Sequence, residues 1–182
     1  MILNVLEYLE GSAIAHPHKT CFADEGESTT FREVRDNARA IASSLLEVTG
    51  GARNQPVAVS IDRSIAPLTA FLGVVNSGNF YVPVDFQLPR SRLENMFNTL
   101  QPKVVLTSKK DREILTGLNF NAKVITFEEA RQYPLAEDSL ARVRRQAIDT
   151  DPLYAIFTSG STGMPKAVLV SHRSVIDLIE HF

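Results

Sequence analysis

The chain has 182 residues, of which 44% are hydrophobic and 22% are charged, and its formal net charge is −2. A chain of this length can bury roughly 70% of its unfolded surface, so we expect a stable core without disulfides or a structural metal. The near-neutral charge argues against general attraction to nucleic acid or to an anionic membrane, and no apolar run approaches the roughly 18–20 residues of a membrane span.

The start of the chain and its cysteine content indicate a compartment. Residues 1–10 lack a basic region and contain two glutamates, unlike a secretory signal. Cys21 is the single cysteine, which excludes an internal disulfide framework and is typical of a reducing compartment. We therefore expect a cytoplasmic protein in which Cys21 is a small core residue.

The first fifty residues predict two helices and a strand. Apolar residues at helical spacing predict an amphipathic helix over residues 2–15, and Thr20–Ala23 is a short strand candidate. Thr30 and Glu33 have the spacing of a capping box, which predicts a second helix that continues to about Glu47. The cap is expected to contribute about 1 kcal/mol. The apolar face of this helix consists of Val34, Ala38, Ile41, Ala42 and Leu45.

Strands and helices alternate in the next eighty residues. This pattern favours an α/β fold with a predominantly parallel sheet and flanking helices. Ser64 is expected to cap the helix that follows the first of these strands. The predicted strands are 56–61, 80–84, 104–107 and 123–127, and the helices between them are a segment with Ile65, Leu68, Leu72 and Val75 on one face, then 90–100 and 109–115.

A polar segment over residues 131–152 separates this region from the last strands. It contains Arg142, Arg144 and Arg145, which are typical of a solvated linker or an exposed helix. A dedicated anion site is the alternative, although no glycine or aromatic residue accompanies the arginines. Beyond this segment, residues 153–157 and 167–170 predict two strands joined as a hairpin.

Six small residues in succession form the tip of that hairpin, and Lys166 follows closely. Their uncovered backbone N–H groups and hydroxyls, together with a cation, suit a phosphate chain. The Walker pattern fails because Pro165 stands where its second glycine should be and Ala167 replaces Ser or Thr. The dinucleotide fingerprint also fails because the loop has only two glycines. The six residues are Thr158, Ser159, Gly160, Ser161, Thr162 and Gly163.

The run Thr158–Lys166 resembles the phosphate-loop signature of adenylate-forming enzymes, which include acyl-CoA synthetases, luciferases and nonribosomal peptide adenylation domains. Three further elements agree in order and spacing, so the resemblance covers nearly the whole chain. The Tyr-Val-Pro-Val-Asp sequence at 81–85 resembles the amino-acid-activating branch, including D-alanine–carrier-protein ligases. The three elements are Thr30–Val34, Asn76–Asp85 and Leu88–Leu93.

The resemblance implies an ATP- and Mg²⁺-dependent ligase that makes an aminoacyl-adenylate and transfers it to a carrier-protein thiol. It implies that the hydroxyl-bearing loop residues contact ATP phosphate oxygens and that the glycines let the backbone approach the phosphates closely. It also implies that Lys166 is a cation that binds phosphate or positions the loop. The family's catalytic lysine lies outside residues 1–182. We therefore expect an N-terminal part of an AMP-binding domain that is inactive alone. The hydroxyl-bearing residues are Thr158, Ser159, Ser161 and Thr162, and the glycines are Gly160 and Gly163.

The chain departs from the family pattern at Ala167, where Gly is common, and at Phe86 and Asn79. None of these positions bears on phosphate binding if Ala167 is an ordinary strand residue.

Several alternatives remain open. The loop could be a plain hairpin turn with Lys166 on the surface. The function could be that of an acyl-CoA synthetase-type fragment, or that of a non-enzymatic nucleotide-binding or interaction domain. A partial domain also exposes surface that promotes self-association.

We expect His172 to pack or cap near the last helix, and Asp85 to fix a turn rather than bind metal.

Overall fold

The computed structural model describes residues 2–158 and 166–181, and the elements below are those of these residues. The helices are α1 (Leu6–Ala15), α2 (Phe31–Thr49), α3 (Ala66–Asn76), α4 (Arg90–Leu100), α5 (Lys109–Leu115), α6 (Phe127–Arg131), α7 (Glu137–Gln146) and α8 (His172–His181). The strands are β1 (Thr20–Ala23), β2 (Ser28–Thr30), β3 (Pro56–Ser60), β4 (Phe80–Val84), β5 (Val104–Thr107), β6 (Lys123–Thr126), β7 (Pro152–Thr158) and β8 (Lys166–Ser171). No helix in these ranges is both long enough and apolar enough to cross a bilayer.

A six-stranded sheet with the order β6-β5-β3-β4-β7-β8 forms the centre of the fold. Strands β3 to β7 are parallel to their neighbours, and β8 alone in this sheet runs antiparallel, against β7. Strands β1 and β2 form a separate antiparallel pair. The prediction of a predominantly parallel α/β fold with a terminal hairpin is confirmed.

Helices cover both faces of the sheet because successive strand residues point to opposite sides. Val57 and Val59 of β3 face the layer formed by α2, α3 and α6. Ala58, between them, faces the layer that contains α4 and α5, where Leu93 and Leu115 are buried. Both faces are therefore apolar, which explains why these strands are near-continuous runs of hydrophobic residues.

Helix α2 is confirmed in detail. The Thr30 hydroxyl accepts the Glu33 backbone N–H at 3.3 Å, and the Glu33 carboxylate accepts the Thr30 N–H at 2.7 Å. This backbone donor holds the pKa of the Glu33 carboxyl below its usual range. The helix ends at Gly50, whose φ of 62° suits a residue without a Cβ. All five residues of the predicted apolar face are fully buried.

Helix α3 differs from its prediction at the cap and at part of the face, although Ile65 and Val75 are buried as predicted. Ser64 does not cap the helix, because its hydroxyl donates a hydrogen bond to Asp62 at 2.6 Å. The helix begins after Ile65 without a side-chain cap. Leu68 is exposed, whereas Ala70 and Gly73 are buried. Small residues face α2 because the two helices lie very close together: a Cβ on Gly73 would come within 2.5 Å of Ile41 Cγ2.

Two boundaries and one additional strand also differ from the sequence predictions. Helix α1 begins at Leu6 rather than at residue 2, because the Asn4 side chain accepts the Leu6 N–H at 3.0 Å and holds the preceding residues in a turn. Strand β2 is an element that the sequence did not predict. The strand predicted to end at Phe127 ends one residue earlier, and Thr126 caps α6 in a second capping box.

Helix α7 occupies the segment predicted to be a linker or an exposed helix. Its charged face is in solvent, but Leu140 and Val143 are buried against α2. Val143 also packs on the turn between α3 and β4, where a Cβ on Gly78 would lie 2.7 Å from Val143 Cγ1. Gly78 has a φ of 75°, so this turn requires glycine for two separate reasons. The segment is therefore part of the packed domain.

Candidate phosphate-binding site

The β7–β8 hairpin positions the two described residues of the predicted phosphate loop. Strand register pairs Thr158 with Lys166 as the last pair before the loop. The Thr158 hydroxyl donates to the Lys166 carbonyl oxygen at 3.4 Å, and both residues are exposed. The remaining loop residues of the prediction, 159–163, lie outside the described residues. Ala167 is a strand residue of β8, as expected.

The start of β7 is fixed by interactions that the sequence did not reveal. The Asp151 carboxylate accepts hydrogen bonds from Arg53 Nη2 at 2.6 Å, from Asn54 Nδ2 at 3.3 Å and from the Ile148 N–H at 3.0 Å. The first two donors precede β3 and are almost one hundred residues away in sequence. Because no local pattern marks such a pair, only the fold could reveal it.

Aromatic stacking fixes β7 against its parallel neighbour. Tyr81 of β4 lies opposite Tyr154 of β7, with ring centroids 5.6 Å apart, and it stacks on Phe71 of α3 at 4.2 Å. Burial raises the pKa of Tyr81 to about 12, so this ring stays neutral at physiological pH. The β7–β8 hairpin is thus anchored to the sheet at Tyr154.

Thr158 lies at the edge of the sheet where ligands bind in open α/β folds, since it ends a parallel strand. A crevice of about 640 Å³ lies at the carboxyl ends of β3, β4 and β5 on this same edge. Its acidic residues are all engaged: Asp111 accepts the Ser60 hydroxyl, and the other two accept N–H groups in turns. Asp85 accepts the Gln87 N–H at 2.8 Å, which confirms its predicted turn role, and Asp62 accepts the Ser64 N–H at 2.8 Å. Over residues 2–158 and 166–181, no cluster of three or more metal-binding side chains occurs.

His172 lies far from this edge and has a packing role, as predicted. It begins α8, is only 3% exposed, and its Nδ1 accepts the Val5 N–H at 3.3 Å. Burial is the main reason that the pKa of His172 falls to about 4; Asp151 opposes the shift and Arg144 contributes to it. The ring is therefore neutral at physiological pH.

The remaining predictions for titratable residues are partly confirmed. His16, His18 and His181 are exposed, as expected. Cys21 is half-buried in β1 rather than in the main core, and burial raises the pKa of its thiol. Arg144, one of the three clustered arginines, does not stand free in solvent: its Nη2 contacts the Glu10 carboxylate at 3.1 Å.

Comparison with known proteins gives a family and a fold. A family model described as AMP-binding enzyme matches residues 9–182. Tyrocidine synthase 1 of Brevibacillus parabrevis is 28% identical over 179 residues, which are 98% of this chain but 16% of that protein. The chain thus spans a small part of such relatives.

Two solved structures superpose on nearly the whole chain. The nonribosomal peptide synthetase FmoA3, in a form bound to α-methyl-L-serine-AMP, has a TM-score of 0.81 at 24% identity, covering 98% of this chain and 19% of that one. Fatty acyl-adenylate ligase from L. pneumophila, in complex with acyl adenylate and pyrophosphate, has a TM-score of 0.78 at 23% identity, covering 97% and 32%. At these identities the likeness shows the fold alone.

Proposed function

We propose a function for this chain from its family, since it belongs to the AMP-binding enzymes. Its fold is that of the N-terminal domain of adenylate-forming enzymes. We infer that it supplies the triphosphate-binding part of a ligase that joins a carboxylate to AMP. The observation that carries this proposal is the register pair of Thr158 and Lys166, which brackets the small-residue loop at the carboxyl edge of the sheet.

The proposed reaction needs charge stabilisation at one leaving group. A carboxylate oxygen attacks the α-phosphorus of ATP, and the bond to the oxygen bridging the α- and β-phosphorus breaks, which releases pyrophosphate. The loop would stabilise the charge that develops on the departing pyrophosphate. Each hydrogen bond to a charged oxygen contributes roughly 1.5–3 kcal/mol. The proposed donors are Thr158, Ser159, Ser161, Thr162, Lys166 and the backbone N–H groups at Gly160 and Gly163.

Mg²⁺ would accompany the nucleotide. The ammonium of Lys166 has donors only and suits phosphate oxygens rather than a cation, whereas the hydroxyl of Thr158 can donate to a phosphate oxygen. The chain's own residues would therefore bind the phosphates, and Mg²⁺, when bound, would neutralise phosphate charge.

We propose an amino acid as the carboxylate, followed by transfer to a carrier-protein thiol. The support is the Tyr81–Asp85 sequence, which resembles amino-acid-activating domains, and the peptide synthetase relatives. A fatty or other acyl acid is the second candidate, because the fold likewise matches a fatty acyl-adenylate ligase. We place the protein in the cytoplasm, where ATP is available for such chemistry.

Calorimetry with ATP–Mg²⁺ tests the phosphate site in the 182-residue chain. We expect weak, millimolar binding that Thr158→Ala and Lys166→Ala each reduce further. Lys103→Ala is the matched control, because Lys103 is an exposed lysine at the opposite edge of the sheet. Tight binding without turnover would favour a nucleotide-binding domain without catalysis. Binding that neither substitution changes would contradict the assignment of the loop.

Pyrophosphate exchange tests the larger claim that catalysis needs more than this chain. We expect no exchange with any amino acid or fatty acid when the 182-residue chain is assayed alone. Exchange above the level of a Thr158→Ala, Lys166→Ala double variant would overturn that claim. The acid that supported it would then decide between the two substrate classes.

A further inference from the structure

A second concave site lies between α1, α3 and α7, and we name it the α1–α7 cavity. Its volume of about 380 Å³ is within the range of small-molecule sites. Most of its wall is apolar, although polar groups reach it from α1, α2, α7 and the start of α8. The apolar residues are Leu6, Leu9, Ile14, Val75, Leu140 and Val143.

The carboxylates on the wall of the cavity are already engaged. Glu10 binds Arg144, and Glu137 binds Arg39 of α2. Asp151 accepts three hydrogen bonds, as described above. None of these groups is therefore left to attract a cation.

Two donors on the same wall have no acceptor among residues 2–158 and 166–181. Nη1 of Arg144 is buried and has no hydrogen-bond partner. His172 is neutral and uses Nδ1 as an acceptor for Val5, so Nε2 carries the proton, and no described residue accepts it. The unpaired buried Nη1 of Arg144 costs free energy, and a ligand oxygen would relieve that cost while also accepting from Nε2 of His172.

The cavity is separate from the phosphate site. Pro152, which lines it, begins β7, and Thr158 ends the same strand. Six residue steps along a strand span roughly 20 Å. A ligand in the cavity would therefore not compete with ATP.

We propose that the α1–α7 cavity binds a small organic acid with an apolar body and one carboxylate. The carboxylate accepts hydrogen bonds from Arg144 and His172, and the apolar body lies against Leu6, Leu140 and Val143. This site is independent of the proposed adenylation chemistry.

Saturation-transfer NMR of the full 182-residue chain tests this proposal with three probes of equal tail length: octanoate, octanol and octylamine. We expect saturable binding of octanoate and much weaker binding of the other two. Equal binding of all three would overturn the proposal, since it would show apolar partitioning only. No saturable octanoate binding would overturn it as well.

Three variants locate the site. Arg144→Met should weaken octanoate binding roughly tenfold or more, because one charged hydrogen bond is lost. Arg142→Met, on the exposed face of α7, should leave binding unchanged. Ala141→Phe narrows the cavity from an exposed position and should also weaken binding without disturbing the core. Wild-type affinity in both Arg144→Met and Ala141→Phe would place octanoate elsewhere, as would displacement by ATP.

Discussion

The buried neutral His172 makes a specific prediction about acid stability. Its pKa is 6.5 in the unfolded chain and about 4 in the fold, which corresponds to roughly 3 kcal/mol in favour of the neutral ring. The ring borders a cavity whose wall includes the exposed Ile14, so solvent screening reduces the expected effect to about 2 kcal/mol. Because the folded pKa lies below the unfolded value, this stabilisation is complete above about pH 6.5 and is lost as the pH falls toward 4.

The test is urea unfolding of the wild type and of His172→Asn at pH 7.5, 5.5 and 4.5. Asparagine keeps an acceptor near the position of Nδ1 for the Val5 N–H but does not titrate. We expect the wild type to lose about 2 kcal/mol more than His172→Asn between pH 7.5 and 4.5. His181→Asn, at the exposed end of the same helix, should follow the wild type. Parallel pH profiles for wild type and His172→Asn would refute the argument that burial holds the ring neutral.

Three further predictions concern packing, capping and association. Gly73→Ala should lower the free energy of unfolding by about 2 kcal/mol because the new methyl group overlaps α2. Gly11→Ala, with open space around it, should be neutral or stabilising. Urea unfolding measures both variants, and equal effects would contradict the close contact between α2 and α3. Thr30→Ala should cost about 1 kcal/mol and Ser64→Ala under about 0.5 kcal/mol in thermal denaturation, since only the first residue caps a helix. The isolated chain should self-associate through the exposed apolar strand β8, and Leu169→Lys should reduce this; light scattering that shows a monomeric wild type would exclude it.

The sheet was predictable because its strands are marked locally. Residues 104–106 are apolar on both faces, and such short runs separated by helical segments are typical of a buried parallel strand. The capping box at Thr30 and Glu33 likewise fixed the start of α2. The same pattern at Thr126 and Glu129 was missed, because Phe127 continues an apolar run and α6 is only five residues long. For a short helix, the capping residues are therefore a stronger sequence signal than hydrophobic periodicity.

The face of α3 was predicted only in part: Ile65 and Val75 are buried as expected, but hydrophobicity does not report the distance between helices. Leu68 fits a helical stripe but is exposed, while Gly73 fits no stripe and lies at the closest contact with α2. Long-range ion pairs also could not be predicted from the sequence. The contact of Arg144 with Glu10 joins residues 134 apart in sequence, and neither neighbourhood signals the other. Sequence patterns thus predicted elements better than the surfaces through which those elements meet.

Locating the candidate site requires both the sequence pattern and the arrangement of the strands in the fold. Composition and resemblance indicated a phosphate loop, while strand register determines where its two flanking residues lie. Thr158 and Lys166 are the sixth register pair of a hairpin that Tyr154 stacks onto the sheet and Asp151 anchors at its base. The backbone at two of the proposed phosphate-binding residues is therefore positioned by the sheet, and preorganisation of this kind reduces the entropy cost of binding.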